Sequence, residues 1–211
     1  MGAVYLHKAT TMREGKNPDP WPPAGINDEE PVALLRRAYA ELTHEFSQRK
    51  ASDFSPTWYD PDQTVGFWIR RMAQETVIHR IDAELAAGAP VAAIPDDLAQ
   101  DGIDELLNLF VAYDVQKYPD EYADLLASGP PRTYRFTAAP RHWTVRTAPG
   151  TLTVAEAAPG GTADATISGP PPALLRWAWN RETPGELSAV SITGDPAALA
   201  AYHRIVVAAT Q

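Results

Sequence analysis

Apolar positions recur at helical spacing over roughly the first 118 residues and alternate with polar ones beyond. Val4, His7, Thr11 and Met12 share one face of a first helix over about Ala3–Arg13, which Gly15 stops. The stretch Asn17-Pro-Asp-Pro-Trp-Pro-Pro23 is a loop, because prolines this dense leave no backbone donors for a helix. Asn27 or Asp28 can cap the next helix, with Pro31 in its first turn and Leu35, Ala38, Leu42 and Phe46 as one apolar stripe. A third helix is predicted from about Gln63 to Ala87, ended by Gly88. A fourth starts at Pro95-Asp-Asp97 and runs through Ile103, Leu106, Leu107 and Phe110 to about Tyr118. Four helices with connected apolar faces predict an antiparallel bundle.

The pattern changes at Ser128-Gly-Pro-Pro131. Short segments rich in Thr, Val, Tyr and Trp follow at Thr133–Thr137, His142–Thr147, Thr151–Ala155 and Ala165–Ser168, separated by Pro-Gly and Gly-Gly turns. A helix over Pro171–Arg181, a strand over Ala189–Thr193 and a last helix from Asp195 to about Ala209 complete the chain. The predicted fold is a helical bundle over residues 1–128 and a small α+β domain with an antiparallel sheet over 129–211.

Composition narrows the chemistry. At 211 residues and 45% hydrophobic content the chain can bury one large core or two modest ones. No apolar run approaches the ~18 residues of a membrane span, and Met1–Arg13 lacks the pattern of a signal peptide, so a cytoplasmic protein without membrane partners is expected. Cysteine is absent, so any thiol chemistry needs a thiol carried by a small molecule. The net charge of −9 is concentrated in the helical part, with 11 Lys and Arg against 22 Asp and Glu through Ser128. Such a surface disfavours nucleic acid, since it would release few phosphate counterions.

The candidate chemistry lies on the third helix. Trp68, Met72, Glu75, His79 and Asp82 step by 4, 3, 4 and 3, the spacing of one helical seam. Continuing a seam that starts with a core aromatic and a thioether carries Glu75 and His79 toward the interior. At i and i+4 their side chains converge on one point, which suits a divalent ion such as zinc, nickel or iron. The same spacing also serves a plain surface hydrogen bond or a buried polar network. A catalytic metal needs a third ligand, and His7 is the first candidate because it shares a face with Val4 and Thr11. His44 is read as solvated, and His142 and His203 as structural or surface residues.

At these residues the chain resembles the mycothiol-dependent maleylpyruvate isomerase family, within the DinB-like metal-binding helical bundles. The resemblance rests on Thr64-Val-Gly-Phe-Trp-Ile-Arg-Arg-Met-Ala-Gln-Glu-Thr-Val-Ile-His-Arg-Ile-Asp-Ala-Glu84 and on Ile94-Pro-Asp-Asp-Leu-Ala-Gln-Asp-Gly-Ile-Asp-Glu105. The second domain is similar to that family's sterol-carrier-like part at Ala163-Asp-Ala-Thr-Ile-Ser-Gly169 and Leu174-Leu-Arg-Trp-Ala-Trp-Asn-Arg181. The resemblance implies that Glu75 and His79 are metal ligands and that zinc and mycothiol are the cofactors. The family's third ligand, a His on the first helix, would fall just before Met1, which implies that the start is truncated, or that His7 substitutes, or that the metal site is incomplete. Gln74 stands where the family usually has His. An Arg of the second domain, Arg181 or alternatively Arg176, would orient a substrate carboxylate.

The implied function is a metal-dependent, mycothiol-using thiol transferase or isomerase acting on a small organic substrate. The alternatives are a metal-dependent hydrolase and a non-catalytic binding or regulatory member. A shortened first helix would expose apolar surface, so self-association as a homodimer is expected.

Overall fold

The computed structural model describes residues 1–22, 26, 28–127, 129–182 and 189–210. These form two compact units, Met1–Pro90 and Val91–Gln211. The division expected at residues 128 and 129 falls inside the second unit, and Ser128 lies outside the described residues.

The first unit holds three helices, α1 (Gly2–Glu14), α2 (Pro31–Ser47) and α3 (Val65–Ala86). Helix α1 packs mainly on α2, where Ala9 and Ala38 are both fully buried and their small side chains allow close approach. The core stripe of α2 is Leu34, Ala38, Leu42 and Glu45: Ala38 and Leu42 are as expected, whereas Leu34 replaces Leu35, which is exposed, and Glu45 replaces Phe46. Glu45 has left water because Arg49 and Arg13 meet it, the latter at 3.4 Å from α1. Helix α2 is capped by Glu30, whose carboxylate accepts from the backbone of Val32 at 3.0 Å and Ala33 at 2.9 Å. Asp28 is not the cap, and Asn27 lies outside the described residues. Thr64 caps α3, and the preceding loop is pinned to the start of that helix by Trp68 Nε1 donating to the Pro56 carbonyl at 3.0 Å.

The fourth expected helix exists but belongs to the second unit. Helix α4 (Asp96–Glu105) runs into a π-helical turn, Leu106–Ala112, and then α5 (Tyr113–Lys117). Its apolar stripe is as expected, but the polar residues select its partner. Gln100 Nε2 donates to the carbonyls of Ala138 and Ala139, both at 2.9 Å. Asp104 accepts from Trp143 Nε1 at 2.9 Å and Arg141 Nη2 at 3.1 Å. The bundle of the first unit therefore has three helices among the described residues rather than four.

After α6 (Ala123–Ala127) come strands β1 (Arg132–Ala138), β2 (Arg141–Ala148), β3 (Thr151–Glu156) and β4 (Ala165–Ser168), then α7 (Pro171–Ala178), β5 (Ser191–Gly194) and α8 (Pro196–Ala209). The sheet order is β3-β2-β1-β4-β5. The sheet is mixed rather than antiparallel, because β4 pairs parallel to β1 with Tyr134 opposite Ala165. Tyr134 and Phe136 face Tyr202 of α8, with ring centroids 4.9 and 5.3 Å apart. No helix among the described residues is long and apolar enough to cross a membrane.

Gly194 ends β5 at φ +110°, where an added Cβ would sit 2.1 Å from the Asp164 carbonyl oxygen. Gly194→Ala is expected to destabilise the second unit by at least about 2 kcal/mol, combining a backbone clash with a disfavoured φ. Denaturant unfolding followed by tryptophan fluorescence checks this; an unchanged midpoint would mean that the close approach is not needed.

Candidate functional site

Helix α3 carries Glu75 and His79, but the buried arc of the helix turns away before it reaches them. Trp68 and Met72 are buried in its first half, whereas Gln74, Val77, Ile78 and Ile81 take over in its second. Glu75 is therefore half-buried, with 18% of its side chain exposed, and His79 is 42% exposed. The expectation that the seam carries both into the interior is not met. Its upper members lie within the core, and its lower members lie on the rim between α3 and solvent.

The pair itself is formed. Glu75 Oε1 lies 3.2 Å from His79 Nε2, and His79 Nδ1 lies 2.9 Å from Asp82 Oδ2. With Asp82 accepting from Nδ1–H, the imidazole turns its Nε2 lone pair toward Glu75, the tautomer logic of a ligand histidine. Two donors 3.2 Å apart also match the edge of a tetrahedron with bonds of about 2.0 Å, as zinc requires.

The surroundings argue the other way. Glu75 Oε2 is held by the Arg71 guanidinium in a close ion pair, and Arg71 is nearly buried, with 8% of its side chain exposed. Lys8 reaches in from α1, its Nζ 4.3 Å from the centre of the Trp68 ring. Burial pushes the Lys8 ammonium down to about 8, Glu75 pulls it back up, and Arg71 pushes it down further. Beside them Tyr5 Oη and Thr76 Oγ1 are 2.5 Å apart and bridge α1 to α3. Burial raises the Tyr5 phenol, partly offset by that hydrogen bond, and Glu75 raises it further.

His7 is elsewhere. It is buried on α1 against the Trp21 ring, centroids 4.7 Å apart and edge to face, with Nδ1 3.4 Å from Thr11 Oγ1. Among the described residues no three His, Asp or Glu side chains form a group able to hold a metal. Two donors with two cations facing them do not fit a resident divalent ion. Gln74, which stands where the family usually has His, is buried in the core.

Arg181 lies in the second unit, where Nη1 donates to the Trp179 carbonyl at 2.5 Å and the guanidinium lies 5.8 Å from the Trp179 ring centre. Arg176 is buried, donates through Nε to the Arg181 carbonyl at 3.1 Å and borders a cleft of about 330 Å³ with Asp96, Pro170 and Ala173. His44 and His203 are exposed, and His142 Nδ1 lies 3.2 Å from Thr137 Oγ1.

Sequence reasoning passed over Lys8 and Arg71. The signal was present: Tyr5, Lys8 and Met12 stand at i, i+3 and i+7, the same seam that buries Tyr5 and Met12. Arg71 stands four residues before Glu75, where a cation meets the carboxylate above it on the helix.

Among the described residues, a three-helix unit with a Glu–His pair on its longest helix is followed by an α+β unit with a mixed sheet. The chain belongs to the mycothiol maleylpyruvate isomerase family: the Mycothiol maleylpyruvate isomerase N-terminal domain matches residues 3–84 and the MDMPI C-terminal domain matches residues 97–201. Comparison with curated proteins found no match. Among solved structures the chain is similar to a UbiJ-SCP2 ubiquinone synthesis protein, at 17% identity, 56% of this chain, 96% of that one and a TM-score of 0.34. It is also similar to sterol carrier protein 2 from Yarrowia lipolytica, at 14% identity, 55% of this chain, 92% of that one and a TM-score of 0.34. Likenesses of this strength carry no weight for function.

Burial lowers the His7 imidazole from 6.5 to about 4, with the Lys8 charge acting in the same direction. Between those values the unfolded chain binds a proton that the folded unit does not. Stability of the first unit is thus full above pH 6.5 and declines as pH falls toward 4. His7→Gln is expected to flatten this decline in pH-dependent denaturant melts; an equally steep decline in the variant would assign it to other groups.

Proposed function

We propose that this chain is a thiol-handling enzyme of the mycothiol-dependent isomerase or transferase type, acting on a small substrate with a carboxylate and an activated double bond. The observation that carries the reading is the Glu75–His79–Asp82 line on α3, in which Asp82 holds Nδ1 of a part-exposed imidazole and Nε2 lies 3.2 Å from Glu75. It lies within the segment that matches the family's N-terminal domain. The absence of cysteine is consistent with a thiol supplied by the cofactor.

The chemistry needs a base, an anion stabiliser and a substrate anchor. His79 takes the proton from the incoming thiol, and Asp82 holds the ring in the tautomer that can accept it. The thiolate adds to the carbon β to the substrate's carbonyl, and the electron pair of the double bond moves onto that carbonyl. Rotation about the resulting single bond and expulsion of the thiolate give the isomer, and His79 returns the proton to the thiol. Where the substrate carries a leaving group instead, the thiolate displaces it and the thioether is the product. Among the described residues the donor set at Glu75 and His79 does not fit a divalent ion, so this reading uses neither a metal-dependent isomerase nor a metal-dependent hydrolase.

A cis-configured unsaturated keto acid or dicarboxylate, followed by proton NMR with mycothiol present, tests the reading. His79→Asn is expected to lower kcat/KM by about 100-fold or more, and Asp82→Asn by about tenfold, as an orienting partner does. Mycothiol binding without turnover of any such substrate would replace the enzyme by a binding member of the family.

A further inference from the structure

Both oxygens of the Glu75 carboxylate are already approached by side chains of the same unit. Oε2 is paired with the Arg71 guanidinium, and Oε1 faces His79. A third group, the Lys8 ammonium, interacts electrostatically with both Glu75 and Arg71. Lys8 is not a loose surface lysine. Its side chain is half-buried, and its Nζ sits 4.3 Å from the centre of the Trp68 ring, whose negative face favours a cation there. Trp68 is 1% exposed, and its Nε1 is tied to the Pro56 carbonyl, so the platform under Lys8 is rigid. Trp68, Arg71 and Glu75 stand at i, i+3 and i+7 on one side of α3, and Lys8 meets that side from α1.

We propose that Lys8 and Arg71 take over the charge-balancing role of a divalent ion at the Glu75–His79 pair, so that this chain excludes zinc there and seats a small organic anion, a thiolate or a carboxylate, on fixed positive charge. Two cations face the Glu75 carboxylate while Asp82 stands beyond His79, so positive charge is concentrated on the Lys8–Arg71 side of the pair. A divalent ion brought to the same point would meet two like charges at close quarters and would have to displace Arg71 from Glu75. A monoanion arriving from solvent meets the opposite balance. The exposed side of His79 lies next to this charge, which places a proton acceptor beside the anion seat. The identity of the anion rests on the thiol-handling reading above; the exclusion of zinc does not.

The test uses the untagged full chain. Zinc is titrated against a chromophoric chelator for the wild type, Lys8→His, Lys8→Met and Glu75→Gln, with circular dichroism confirming the fold of each. The wild type is expected to take up no stoichiometric zinc, whereas Lys8→His, which removes one cation and adds a donor, gains one equivalent at least tenfold more tightly than the wild type. One equivalent bound by the wild type and lost in Glu75→Gln would overturn the proposal, as would Lys8→His binding no better than the wild type. Calorimetry in the presence of EDTA then measures mycothiol and maleate separately. At least tenfold weaker binding of either in Lys8→Met supports the seat, and the probe affected tells thiolate from carboxylate. Binding of neither by the wild type would overturn the anion half, while absence of turnover with mycothiol bound would remove only the catalytic reading.

Discussion

Taking a carboxylate out of water is costly unless donors and cations meet it, and the arrangement of this chain follows from where it does so. Glu45 has left solvent on α2, and its partners Arg49 and Arg13 tie that helix to α1. Asp104 collects Trp143, Arg141 and Asn108, which fixes α4 to the strand β2. Glu75, half-withdrawn on α3, draws in Arg71 and faces His79 and Lys8. In each case an element is held by the requirement that its acid be satisfied, and apolar packing fills the space around it. The site is the instance in which that compensation is left partly open to solvent.

This constraint also explains what could be read from the chain in advance. The helices and strands were legible because their periods of about 3.6 and 2 are written in apolar positions. The partner of α4 was not, because its apolar stripe would suit either a helix or a sheet. Gln100 and Asp104 decide the matter, and their partners lie about 38 and 39 residues away in the sequence. The stripe of α2 was right at Ala38 and Leu42 but not at its start, since Leu34 and Leu35 are equally apolar and the approach of α1 at Gly2 selects Leu34. The parallel pairing of β1 with β4 was equally hidden, as each strand looks the same in either direction.

The site was legible as a pair and not as an environment. Spacing alone placed Glu75 and His79 within reach of one another. It could not show that the buried arc of α3 rotates past them, because that depends on which neighbours cover each half of the helix. His7 was chosen for its face of α1, yet the edge of Trp21 occupies that face. The residue of α1 that does look toward Glu75 is the next one, Lys8, about 100° around the helix.

The position of β4 has a consequence in time as well as in space. Strands β1, β2 and β3 form a meander of neighbours that can assemble as soon as they leave the ribosome. β4 must return past all of them to pair with β1, Thr137 opposite Ser168, and β5 and α8 follow it. Loop closure over that distance has to precede any gain from the pairing, so the late-synthesised third of the unit sets the pace of folding. Until then the inner edge of β1 stands open, with unpaired backbone donors and acceptors that another strand could meet.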